Sequence, residues 1–69
     1  MQEINLEFIG RYLKQKRSEL GYTLKYVSEK IGITKKTLID IEHEKRLPSL
    51  ITLDKITALY GLTFFIDEI

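Results

Sequence analysis

The sequence has no cysteine, no tryptophan, a single proline and a single histidine among 69 residues. Without cysteine there is no disulfide to staple a small fold, no thiolate metal ligand and no thiol nucleophile. One imidazole, His43, cannot build a zinc site without several carboxylate helpers, so neither a metal nor a cofactor is expected. No apolar run approaches the roughly 18 residues of a membrane span, so no membrane partner is expected. The first residues, Met1-Gln2-Glu3-Ile4-Asn5, carry an acid where an export signal has bases ahead of an apolar core; the expected location is the cytoplasm. Phosphate-cradling glycine loops and nucleophile–base pairs with an orienting group are also missing, which argues against an enzyme. No repeat, linker or low-complexity segment interrupts the chain, and residues 1–69 read as a single domain.

What is present is a helix-forming pattern and an uneven charge. A chain this short buries only about 60% of the surface its unfolded form exposes, so a well-organised core or a partner subunit is needed. The net charge is only +1, but it is not spread evenly. Residues 11–46 hold ten bases against five acids, a local charge of +5, and the two ends together carry −4. A basic middle between acidic ends is the electrostatic footprint of a nucleic-acid-binding face.

Leu6, Ile9, Leu13 and Leu20 recur at helical spacing and predict a first helix over about 5–20, capped by Asn5 and ended by Gly21. Thr23 caps a second helix, 24–31, with Val27, Ser28 and Ile31 inward, and Gly32 stops it. Thr34 caps a third, 35–42, with Leu38 and Ile41 inward. His43 to Pro48 is a polar connection. Ser49 caps a fourth helix, about 50–60, expected to bury Leu50, Leu53, Ile56 and Leu59 or Tyr60 before Gly61. The last eight residues, from Leu62 to Ile69, fit a helix badly because Asp67 falls where an apolar residue is wanted; their aromatic and β-branched content favours a strand. Such a strand needs a partner, and its copy in a second subunit supplies one.

The segment 23–42 carries the most information. A small residue at Ser28 lets two helices cross closely, Gly32 permits a tight turn, and Ile33 plugs the gap between them. This is the grammar of a helix-turn-helix, whose second helix can lie in a DNA major groove.

Residues 8–62 as a whole resemble the lambda-repressor/Cro-like (Xre-type) helix-turn-helix family. The resemblance rests on Arg17, Leu20-Gly21, Thr23, Val27-Ser28-Glu29, Gly32-Ile33-Thr34, Leu38, Ile41-Glu42, Pro48-Ser49, Leu53 and Gly61. It implies an all-α, four- to five-helix DNA-binding domain and a dimeric, sequence-specific transcriptional repressor reading a double-stranded operator. It also implies that Arg17 pairs with Glu42 as a structural brace. Base readout would fall to Lys35, Lys36, Thr37, Ile39 and Asp40. Lysine donates to guanine O6 and N7, aspartate accepts from cytosine N4, and threonine and isoleucine can touch a thymine methyl. Phosphate contacts would come from Arg17, Thr23, Leu24 with the first amides of the second helix, His43, Lys45, Arg46 and Ser49.

The chain departs from the family pattern at Leu24, where glutamine is common, and at His43-Glu44, where a turn-forming pair ending in glycine is common. Leu24 and Ile39 would both be exposed and apolar. After Gly61, the run Leu62-Thr63-Phe64-Phe65-Ile66 resembles the strand-forming tail of HipB-type antitoxins, which would put Phe64, Phe65 and Ile66 in a homodimer interface; the ordinary family ending is a fifth helix. The alternative function is a protein-interaction module on the same scaffold. Such an antitoxin or antirepressor would bind a toxin or other regulator through Leu24, Tyr26, Ile39 or the tail.

Overall fold

The computed structural model describes residues 9–62, and these form four helices joined by tight turns. They are α1 (Ile9–Glu19), α2 (Leu24–Ile31), α3 (Lys35–Glu42) and α4 (Leu50–Tyr60). The described residues are all-α. Asn5 and Leu6, the expected start of the first helix, lie outside the described residues, as do Phe64, Phe65 and Ile66 of the expected strand.

Local chemistry sets these boundaries. Thr23, Thr34 and Ser49 each stand in extended backbone ahead of a helix. Their side-chain oxygens accept from the amides of Tyr26, Thr37 and Thr52, at 3.0, 3.0 and 3.1 Å. Each bond satisfies one of the donors that a helix start leaves orphaned, and is worth about 1 kcal/mol. At the other end, Gly32 and Gly61 take left-handed backbone, φ 77° and 70°, where any other residue would be strained.

Neither α2 nor α3, at eight residues each, would hold in water alone. A shared core holds them. Leu13, Val27, Leu38, Ile41 and Ile56 are fully buried, with Ile9, Ile31 and Tyr60 at the margin. Helix α3 packs on α1 and α2, and α4 closes the far side of α2. Ser28 is buried where α2 meets its neighbours, and its hydroxyl donates to the Lys25 carbonyl at 3.0 Å, so the small polar residue enters the core satisfied.

Three expectations about burial are corrected. Leu20, expected inward, is exposed because it follows the last residue of α1, where the chain turns out through Gly21. Leu50 shares a helical face with Leu53 and Ile56 but is 82% exposed, since the first turn of α4 projects past the edge of the core. Leu24, expected to be exposed, is half-buried and packs against the core from the start of α2.

One close approach was not foreseen. Gly10 is buried where α1 crosses the end of α3, and a Cβ placed on it would collide with the Ile41 carbonyl oxygen and come within 2.9 Å of that of Glu42. Only a hydrogen fits there. The contact sets how near the C-terminus of α3 lies to α1, and with it the tilt of the helix.

Candidate nucleic-acid interface

Helix α3 is divided by face. Leu38, Ile41 and Glu42 are buried, whereas Lys36 and Ile39 are exposed and Asp40 half-exposed on the other side of the helix; Lys35, seven residues before Glu42 and so on nearly the same side, is exposed because it stands at the start of the first turn. Thr37 stands at the boundary, half-buried, its hydroxyl 2.9 Å from that of the capping Thr34. All five residues expected to read bases are therefore on or bordering one outward surface. Within it, Lys36 Nζ donates to Asp40 Oδ2 at 3.3 Å, an exposed pair one turn apart. The pair is weak and easily opened in water. Lys35, at the first position of the helix, projects from the end nearest a groove floor in any docking that inserts the α3 N-terminus.

Orientation of that surface depends on the other face. Glu42 is 3% exposed, yet its carboxylate is fully engaged. Arg17 Nε donates to Oε2 at 2.7 Å and a terminal nitrogen donates to Oε1 at 3.1 Å. The second terminal nitrogen donates to the Tyr22 carbonyl at 2.9 Å. This two-pronged pairing ties α1 to the end of α3, and the third bond adds the α1–α2 turn. The Glu42 hydrogen bond raises the Arg17 pKa above its ordinary value against the opposing effect of burial, so the guanidinium stays charged.

The same geometry bears on Arg17 as a phosphate ligand. Its side chain is 13% exposed and all three nitrogens bond within the chain. Arg17 has little left to offer a phosphate.

Below the brace, Tyr60 of α4 is buried, and its hydroxyl has no hydrogen-bond partner among the described residues. Burial, reinforced by the Glu42 charge, pushes its pKa up to about 12. Tyr22 connects this region to the surface, with its ring 6.1 Å from Tyr60 and 4.8 Å from Tyr26. The ammonium of Lys30 stands 5.5 Å from the Tyr26 ring. Tyr26 is therefore part of an aromatic stack and a poor candidate for a free docking residue.

The remaining cationic and polar candidates flank α3. Thr23 and Ser49 are exposed at the starts of α2 and α4, each capping one amide and leaving the first amides of its helix unpaired within it. His43, Lys45 and Arg46 are exposed in the turn after α3. Sequence reasoning missed two features here. One is an exposed apolar patch of Leu47, Leu50 and Ile51, 66%, 82% and 71% exposed; three apolar residues within five positions around Pro48-Ser49 were its signal. The other is Gly10, signalled by a glycine inside an otherwise regular amphipathic helix.

The helix-turn-helix family matches residues 13–65. The chain belongs to the Xre/Cro-type helix-turn-helix family. Among curated relatives, the transcriptional regulator SinR of Bacillus subtilis is 40% identical over 56 residues, which is 80% of this chain and 50% of SinR. ImmR, a transcriptional regulator of the same organism, is 36% identical over 55 residues, covering 80% of this chain and 43% of ImmR. The chain thus spans about half the length of these relatives. The crystal structure of SinR, the master regulator for biofilm formation, in complex with DNA superposes with a TM-score of 0.73 at 38% identity; the match covers 80% of this chain and 89% of that one. The four-helix arrangement is thus the helix-turn-helix fold of the SinR DNA-binding domain. Among the described residues no group of histidines and acids is arranged to hold a metal ion, and no helix is long and apolar enough to cross a membrane.

Proposed function

We propose that this chain is a sequence-specific, double-stranded-DNA-binding transcriptional regulator that acts as a dimeric repressor in the cytoplasm. The observation that carries this reading is the fixed outward face of α3. Lys36, Ile39 and Asp40 face solvent together, with Lys35 exposed at the start of the helix, while Glu42 at its end is buried and locked to Arg17. A side chain reads a base edge only if its helix is held still, and the buried brace supplies that rigidity. Seated in a major groove, Lys35 and Lys36 would donate to guanine, Asp40 would leave Lys36 to accept from cytosine, and Thr37 and Ile39 would meet thymine methyls. Thr23 with the amide of Leu24, and Ser49, would hold phosphates at two helix starts, joined by His43, Lys45 and Arg46. That the relative SinR has been solved in complex with DNA supports DNA binding by this fold.

A dimer would set two recognition helices about 34 Å apart, one helical turn of DNA. For the subunit contact, the exposed Leu47, Leu50 and Ile51 join Phe64, Phe65 and Ile66 as the apolar residues we assign to a second copy of this chain. The same exposed patch favours a second reading, in which the module binds a toxin or another regulatory protein. Selection from a randomised duplex pool at two salt concentrations tests the proposal. Enrichment of one motif with affinity falling steeply in salt is the expected result. Failure to enrich any sequence refutes the regulator reading and leaves the protein-interaction reading.

A further inference from the structure

Gly21, Gly32 and Gly61 end three of the four described helices in left-handed backbone, φ 73°, 77° and 70°. Helix α3 ends the same way without a glycine. Glu44 takes φ 63°, the only positive φ among the described residues other than glycine. Its amide donates to the Ile41 carbonyl at 3.1 Å and that of Lys45 to Asp40 at 2.8 Å. Gly21 and Tyr22 close α1, and Gly61 and Leu62 close α4, with the same pair of bonds. Glycine would be the unstrained choice at 44.

What glutamate adds is a carboxylate in a chosen place. The side chain turns back over Gly10, its Cγ 2.8 Å from where a Cβ on that glycine would stand. Its Oε1 accepts from Arg11 Nε at 3.2 Å, and the side chain is only 25% exposed. The carboxylate is thereby fixed beside the turn that presents Lys45 and Arg46. It is the only acid between the buried Glu42 and Asp54.

We propose that Glu44 sets the affinity of this protein for DNA: it holds a negative charge at the phosphate-facing turn, in strained backbone, and keeps binding weaker than Lys45 and Arg46 would otherwise make it. The inference rests on the DNA-binding reading above and adds a quantity to it. Attraction to phosphates is independent of sequence. A charge at this turn therefore weakens operator and random-sequence binding alike, lowering occupancy of non-specific DNA without changing discrimination.

Fluorescence anisotropy with the selected duplex and a scrambled duplex, from 0.1 to 0.4 M KCl, tests this on wild type, Glu44→Gln and Glu44→Gly. Removing one negative charge acts like one more neutralised phosphate. It should steepen the log–log salt slope by about 0.9 and tighten binding about eightfold at 0.1 M relative to 1 M salt. Both variants should tighten on both duplexes by similar factors, with the ratio between duplexes unchanged. Only Glu44→Gly should also raise the thermal midpoint, since only glycine relieves the φ of 63°. If wild type binds the selected duplex and both variants stay within twofold of it at unchanged slope, Glu44 is a structural clasp alone and the proposal is wrong. Tightening by Glu44→Gly without Glu44→Gln overturns it too, because the backbone and not the charge would then be the cause. A wild type that binds neither duplex overturns the DNA-binding reading first, and this inference with it.

Discussion

Removing one member of the Arg17–Glu42 pair should be far more damaging than a surface ion pair would suggest, and removing the second should add little. Glu42→Ala leaves the Arg17 guanidinium, a side chain 13% exposed, with only its bond to the Tyr22 carbonyl. Breaking a buried pair by deleting one partner costs about 3–5 kcal/mol. A domain of this length has a total stability of about 3–10 kcal/mol, so Glu42→Ala takes away a large share of it or unfolds the protein. Arg17→Ala leaves Glu42, a side chain 2% exposed, without either of its two donors, and orphans the Tyr22 carbonyl as well. The single losses therefore overlap. Two charge-assisted bonds at about 1.5–3 kcal/mol each set the scale, and a coupling of about 2–3 kcal/mol is expected in a double-mutant cycle. Urea denaturation followed by helical circular dichroism measures all four corners. The milder pair Arg17→Lys and Glu42→Gln keeps the cycle measurable if the alanine variants unfold. Additivity within about 0.5 kcal/mol would refute the brace and, with it, the reason given for the fixed orientation of α3.

Three further outcomes follow from single contacts. Gly10→Ala should destabilise by at least the 1–3 kcal/mol usual for overpacking, because the new Cβ meets backbone oxygens that cannot move aside; a thermal midpoint within 2 °C of wild type would count against the close approach. Tyr60 has a folded pKa raised to about 12 against an ordinary value of 10.0, so the folded state holds its proton longer. Its stabilising contribution is complete below pH 10 and is lost as pH rises towards 12, by up to about 3 kcal/mol, whereas Tyr60→Phe should lack this alkaline step and gain about 1 kcal/mol by removing a hydroxyl with no partner among the described residues. Lys35→Ala should cost about 1–3 kcal/mol on the selected duplex and relax the preference at one base pair; an equal loss on all sequences would make Lys35 a phosphate ligand instead.

The bounds of α2 and α3 could be read from the sequence because caps act locally. Thr23, Thr34, Ser49, Gly32 and Gly61 each act on backbone groups within three to five residues, so their identity and spacing suffice. The outward face of α3 was legible for a related reason: Leu38 and Ile41 mark the inner side of a short helix, and the rest follows by periodicity. Periodicity says which side of a helix is apolar but not where the core stops, which is why Leu20 and Leu50 were placed inside when the fold leaves both in water. Contacts between distant segments were less accessible. The Arg17–Glu42 pair was reached through family resemblance, and neither the seat of the Ile41 carbonyl against Gly10 nor the strained turn at Glu44 follows from local pattern. Leu24 shows how context overrides an exposed-looking position, since the crossing of α2 over the core half-buries it.

If the outward face of α3 enters the groove while the flanking turns hold phosphates, amide chemical-shift mapping on titration with the selected duplex will show it. The largest changes are expected over residues 34–40, a second set at Thr23-Leu24 and over 43–49, and small changes at Val27, Ile56 and other core positions away from the contact. Changes confined to Leu47, Leu50 and Ile51, with α3 silent, would contradict it and move the binding surface to the apolar patch.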